Sequence, residues 1–160
     1  MIEVRPSTPD DPPLLAPLLR AADVAEIEAT GRTPLSALEE GVDHSRPCLT
    51  AWIGEEPVGM FGVRPCPDIE AVCGTRYGLI WYLGSDAATR DARGFMRASR
   101  AWLARLWEGY DVLGNAVDER NQVHVRWIGA MGFHFIKRHD AVGPDRRPFL
   151  EFYQPRPGGA

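Results

Sequence analysis

The chain has 160 residues, 44% hydrophobic and 25% charged, with a formal net charge of −4. That is ordinary for one globular domain with a proper core, and the acidic balance gives no argument for a nucleic-acid partner. No apolar run approaches the roughly 20 residues of a membrane helix, and the start, Met1-Ile2-Glu3-Val4-Arg5-Pro6, has no signal-peptide core, so the expected setting is a cytoplasm or a particle packed there.

Ile2 to Arg5 reads as a short strand. Ser7-Thr8-Pro9-Asp10-Asp11 starts a helix, with prolines tolerated in the first turn and acids complementing the dipole. Leu14, Leu15, Leu18 and Leu19 form its apolar stripe, and Pro17 keeps it short or kinks it. Val24 and Ile27 carry a second helical stretch to a stop at Gly31, and Pro34 to Glu40 gives a third. Cys48 to Ile53 and Val58 to Val63 read as a hairpin around Gly54-Glu55-Glu56-Pro57. Pro65 to Gly74 reads as an irregular loop.

Tyr77 to Leu83 is the most apolar stretch and suits a central buried strand. Arg90 to Glu108 is a helix with Phe95, Trp102 and Leu106 inward. Leu113 to Val117 is the next strand and Gln122 to Met131 the next helix. Phe133 to Ile136 and Phe149 to Tyr153 close as an antiparallel pair through Gly143-Pro144-Asp145. Residues 1–154 form one domain on this reading, and 155–160 a loose tail. Patterning alone supports a mixed α/β domain.

Cys48, Cys66 and Cys73 lack CxxC spacing and read as reduced thiols; with histidines at 44, 124, 134 and 139 they form no zinc grammar. Asp43-His44-Ser45 is no triad, because adjacent residues cannot adopt that geometry. Glu26 and Glu28 point roughly 200° apart around a helix and read by default as surface glutamates, one of them a conceivable general base. Arg90, Arg93, Arg97 and Arg100 line one helix face. That stripe is a solvated face or a dock for an acidic partner, a phosphate or packed DNA, and the acidic chain favours the first. Trp52, Trp81 and Trp102 read as core, and Trp107 as a candidate exposed contact.

Residues Leu113 to Phe133, LGNAVDERNQVHVRWIGAMGF, run strand, Asn121, helix and a Gly132-Phe133 stop. This block resembles the second half of the acyl-CoA-binding core of the GNAT family of N-acetyltransferases. The resemblance implies a single GNAT-like α/β (α+β) domain whose mostly antiparallel sheet is splayed in the middle and flanked by helices.

In that family a Q/R-x-x-G-x-G/A loop offers backbone N–H groups to a pyrophosphate, helped by the helix N-terminus behind it. Here Arg90 takes the first place, Arg93 replaces the first glycine, and Phe95 follows Gly94 where a small residue is expected. The family's tyrosine acid, seven residues after the Asn, is replaced by Ile128, leaving His124 as the local substitute. If acetyl-CoA is bound, the resemblance assigns Leu83 and Gly84 to the pantetheine arm, Arg90, Arg93 and Gly94 to the pyrophosphate, Asn121 to the thioester end and His124 to the catalytic acid.

A second likeness spans most of the chain, through Glu3-Val4-Arg5-Pro6-Ser7, Ala25 to Gly31, Pro57 to Val63, Trp81 to Ser85, Phe95 to Trp102, Asn115 to Asn121, Arg126 to Phe133 and Phe149 to Phe152. These segments resemble small GNAT-like proteins of tailed phages, related to the internal virion protein A of podovirus-type phages. The likeness implies a non-enzymatic virion or assembly protein without a cofactor, made in a host cytoplasm. Arg90, Arg93, Arg97, Arg100 and Trp107 would meet other phage proteins. The alternative is an acetyl-CoA-dependent N-acetyltransferase with an atypical pyrophosphate loop.

Overall fold

A computed structural model describes residues 2–158. Seven strands form one sheet in the order β1-β2-β3-β4-β5-β7-β6. The strands are β1 (Glu3–Pro6), β2 (Cys48–Ile53), β3 (Glu56–Pro65), β4 (Tyr77–Gly84), β5 (Val112–Asp118), β6 (His134–Val142) and β7 (Arg147–Pro155). Every neighbouring pair is antiparallel except β4 and β5. The helices are α1 (Asp11–Leu15), α2 (Ala21–Ala29), α3 (Pro34–His44), α4 (Pro67–Cys73), α5 (Ala92–Leu106) and α6 (Gln122–Ala130). None among the described residues is long and apolar enough to cross a membrane.

Helices α1 to α3 cover one face. Leu15, Leu19, Ile27 and Leu38 pack there on Met60, with Trp81 and Leu83 beside them. Pro17 holds α1 to five residues and a following turn, so the leucine stripe is not all core: Leu14 and Leu18 stay exposed. Thr33 caps α3, accepting from Ser36 N while Ser36 Oγ takes the Thr33 N–H.

The opposite face carries α5 and α6. Val63, Leu106, Leu113, Val117, Ile128, Phe133 and Phe152 form its main cluster. Ala51, Val58 and Ala88 form a separate one nearer β1.

Three expectations change. Pro65 to Gly74 is not irregular: Pro67 at the first position and a left-handed Gly74 (φ 68°) frame α4, which buries none of its residues and so shows no apolar period. The β6 strand runs on to Val142, with a break in register between His139 and Val142. Trp107 is not an exposed contact: it is 5% exposed, packed with Leu106 and Tyr110 under the end of α5. Of the tail 155–160, residues 159 and 160 lie outside the described residues.

Candidate active site

Strands β4 and β5 pair only from Tyr77–Leu79 to Val112–Gly114. Beyond that point β4 stays with β3 and β5 stays with β7, so the sheet splits. Asn115 sits where they part. Its Nδ2 donates to the Ile80 carbonyl at 2.9 Å, and its Oδ1 accepts from Ala116 N at 2.8 Å. One side-chain amide therefore replaces the missing strand peptide. Alternation along β4 turns the peptide groups of Ile80, Tyr82 and Gly84 away from β3. Gly84 is closed off by α2: its carbonyl accepts from Arg20 N at 3.0 Å and its N–H donates to Asp23 Oδ2 at 3.1 Å. The Tyr82 peptide is left facing the open gap.

Helix α2 brings Asp23 and Glu26, one turn apart, to the wide end of the gap. Asp23 is fully buried and ion-paired with Arg20 at 2.7 Å. Asn121 caps α6, its Oδ1 taking the His124 N–H, and its Nδ2 donates to Asp23 Oδ1 at 3.0 Å and Glu26 Oε2 at 3.1 Å. Asp118 N also donates to Glu26, at 3.3 Å. Burial, reinforced by the charges of Asp23 and Asp118 and opposed by the Asn121 bond, pushes the Glu26 carboxyl up to about 7.

Four rings meet across the gap: Tyr82 from β4, Phe95 from α5, and His124 and Trp127 from α6. Tyr82 lies 5.2 Å from Trp127 and 5.7 Å from His124, and Phe95 lies 5.5 Å from Trp127, centroid to centroid. Tyr82 Oη, His124 Nε2 and Trp127 Nε1 are buried without a protein partner. Glycines at 59 and 84 make room for the Tyr82 hydroxyl, since a Cβ at either would overlap it. Burial pulls His124 down to about 4, so its ring is neutral at pH 7. Its Nδ1 lies 3.2 Å from the Asn121 amide nitrogen and 3.8 Å from Asp23 Oδ1. Burial also raises the Tyr82 phenol above its ordinary value.

A cavity of about 410 Å³ joins these parts. Glu26, Trp81 and Leu83 line it on the α2–α3 side of the sheet, and Tyr82, Trp102 and Ile128 on the α5–α6 side.

The residues named from sequence fall into two places. Gly84, Asn121 and His124 converge through Asp23, and Leu83 borders them, facing the α1–α3 core. Arg90, Arg93 and Gly94 sit apart, at the start of α5. Arg93, Arg97 and Arg100 are exposed along its outer face, with Arg90 exposed just before it. Gly94 N is already bonded to the Asp91 carboxylate at 2.9 Å, so Asp91 caps α5. Glu28 is exposed, but Glu26 is not a surface glutamate: α2 turns it inward to Asn121 and Asp118.

Sequence reasoning missed Asp23, Tyr82 and Asn115. The visible signal was an Asp-x-x-Glu pair on the face of α2 that also carries Ile27. Asn115 looked like one more strand residue.

The gap fits the thioester arm of an acyl-CoA: a free peptide edge at Tyr82, with the unpartnered Tyr82 Oη and Trp127 Nε1 beside it. At the start of α5, where the resemblance puts the phosphates, the carboxylate of Asp91 occupies the helix start and Arg90 and Arg93 carry positive charge.

No family model and no curated protein matches the sequence. Solved structures do match. The chain is similar to a ribosomal-protein-alanine N-acetyltransferase from Brucella melitensis, with TM-score 0.65 and 18% identity over 96% of this chain and 99% of that one. It is similar to a GCN5-related N-acetyltransferase from Kribbella flavida, with TM-score 0.65 and 19% identity over 97% and 98%. A third is an acetyltransferase from Bacillus subtilis in complex with CoA, with TM-score 0.63 and 14% identity over 97% of each chain. The chain has the GNAT fold. The expectation of a non-enzymatic phage assembly platform is overturned: these three structures, which share the fold over nearly its whole length, are acetyltransferases.

Proposed function

We propose that the protein is an acyl-CoA-dependent N-acyltransferase, with acetyl-CoA as the reference donor. The carrying observation is Glu26, a carboxyl pushed up to about 7 at the wall of the cavity, where the sheet opens. A carboxylate poised near neutral pH is a matched general base for an ammonium ion. Its removal of a proton frees the nitrogen lone pair of an acceptor amine.

The other residues act around it. Asn121 holds both Asp23 and Glu26, and Asp23 in turn fixes the Gly84 peptide and Arg20. The Tyr82 peptide can pair with an amide of the pantetheine arm, and Arg90 and Arg93 can meet the phosphates through their side chains. When bound, an acyl-CoA supplies a thioester whose carbonyl carbon takes the amine as the C–S bond breaks. Tyr82 Oη and His124 Nε2, both without protein partners, offer hydrogen-bonding groups within the same cluster. His124 is neutral near pH 7 and is not a charged acid there. The similarity to acetyltransferases, one of them solved with CoA, supports the reading.

Thermal unfolding with millimolar CoA tests the binding half. A ligand at about 100 times its dissociation constant stabilises by roughly 2.7 kcal/mol, a shift of several degrees. Thiol release from acetyl-CoA over a panel of primary amines tests the chemical half. Turnover that disappears in Glu26→Gln supports the proposal, whereas no shift and no release across the panel refutes it.

A further inference from the structure

The face under α5 is built around a channel. Its apolar side chains form two clusters, one centred on Val117, Ile128 and Phe152 and the other on Ala51, Val58 and Ala88, with Phe61 touching both. The inner face of α5 runs Phe95, Ala98, Ser99, Trp102, Leu103 and Leu106, all lining the cavity. Large residues stand at both ends of that face and two small ones in the middle. The cavity extends beneath them from Ile2 and Val4 at the β1 edge to the gap between β4 and β5.

The whole cavity, counted on both sides of the split, is about 410 Å³, in the range of ligand pockets, about 300–1,000 Å³. An acetyl group at Tyr82 and His124 would not reach the apolar stretch beneath Ala98 and Ser99. The channel's polar features on this face gather at the gap, where Tyr82 Oη, His124 Nε2 and Trp127 Nε1 lack partners and His124 is only 6% exposed. A lining that is polar at one end and apolar along its length matches a molecule with a polar head and an apolar tail.

We propose that the donor carries an acyl chain longer than acetyl, a medium-chain fatty acyl group, which lies in the channel beneath α5 with its thioester at Tyr82 and His124. The proposal rests on the acyltransferase reading and names the donor class of that same site. In transfer the acyl C–S bond breaks as the C–N bond to the amine forms. Glu26 takes one proton from the ammonium to free the lone pair, and the second proton that the nitrogen sheds as the amide forms passes through solvent to the sulfur, which leaves as a thiol.

Trp102 and Trp127 line the channel, so intrinsic tryptophan fluorescence reports occupancy without turnover. The purified chain is titrated with octanoyl-CoA, acetyl-CoA, CoA and free octanoate. Octanoyl-CoA is expected to bind at least about tenfold tighter than acetyl-CoA, since each buried methylene adds to affinity, and to change the fluorescence where CoA does not. Ala98→Phe fills the channel and is expected to bring octanoyl-CoA down to the acetyl-CoA level while leaving acetyl-CoA binding unchanged. Ser99→Leu serves as a second filling variant should the first not fold. Equal affinity for the two esters, or an octanoyl preference that survives filling, overturns the proposal and leaves acyl transfer standing. Absence of binding by any CoA species, even where octanoate binds, overturns the acyltransferase reading itself.

Discussion

The side-chain amide of Asn115 donates to the backbone carbonyl of Ile80 at 2.9 Å, at the point where β4 and β5 stop pairing. The same amide accepts from Ala116 N. Both backbone groups would otherwise lie half-buried without a partner. Asn115→Ala is therefore expected to cost about 2 kcal/mol, the usual penalty for stranding such groups. Asn115→Asp should cost as much, because a carboxylate accepts from Ala116 but repels the Ile80 carbonyl. Urea unfolding midpoints measure both, and an unchanged midpoint in Asn115→Ala would show that water satisfies the split as well as the side chain does.

Glu26 is the group on which catalysis is expected to turn. Glu26→Gln keeps the shape and the capacity to accept from Asp118 N, but cannot take a proton. Loss of a general base lowers kcat about a hundredfold to ten-thousandfold. In the wild type, kcat should rise with pH through a midpoint near 7, where the Glu26 carboxyl ionises. That limb should vanish in the variant. Exposed Glu28→Gln is the control and should leave the profile intact. Equal pH profiles for wild type and Glu26→Gln would assign the base elsewhere.

Stability against pH should carry two opposing signatures from this site. Glu26 is raised from an ordinary 4.5 to about 7. Its contribution is complete below pH 4.5 and is lost as pH rises through 7. His124 is lowered from 6.5 to about 4. Its contribution is complete above pH 6.5 and is lost as pH falls through 4. Each shift corresponds to about 3 kcal/mol. Between pH 4.5 and 6.5 the two trends cancel, so wild-type stability should be nearly flat there. Glu26→Gln should uncover a rise with pH across that window, and His124→Asn a fall. Parallel curves for all three proteins would mean that neither group is held as the structure holds it.

The sequence carried the fold well because its signals there are local. The Asn121 block, the apolar Tyr77–Leu83 run and the glycine stop at 132 each depend on neighbours in the chain. The α4 helix was hidden because it buries none of its residues, and a helix without a buried face has no period to read. The site was hidden for the opposite reason. Glu26 meets Asp118 across 92 residues and Asn121 across 95, contacts that set its proton affinity and leave no trace in local pattern. Two glutamates two residues apart look alike in sequence, and only the packing of α2 on β5 and α6 tells Glu26 from Glu28. Trp107 shows the same limit: its burial comes from the turn beyond α5 folding back over the β4–β5 end.

On the proposed function, Asp91 sets stability against cofactor affinity. Its carboxylate caps α5 through Gly94 N, which favours the helix, and it places a negative charge where the pyrophosphate of an acyl-CoA would approach. Removing a cap of this kind costs about 1 kcal/mol. A unit charge about 4 Å from an anion in water costs about 1 kcal/mol of binding, and more where water is partly excluded. Asp91→Ala is therefore expected to lower the unfolding midpoint while tightening CoA binding roughly fivefold to tenfold. Asp91→Ser separates the two effects, since a serine hydroxyl still accepts from Gly94 N but carries no charge; it should recover the stability and keep the tighter binding. The gain should shrink at high salt, where the repulsion is screened. Calorimetric titration with CoA and thermal unfolding on the same samples decide the matter. An affinity indifferent to residue 91 would mean that the phosphates rest on Arg93 and its neighbours along the outer face of α5, clear of the helix start.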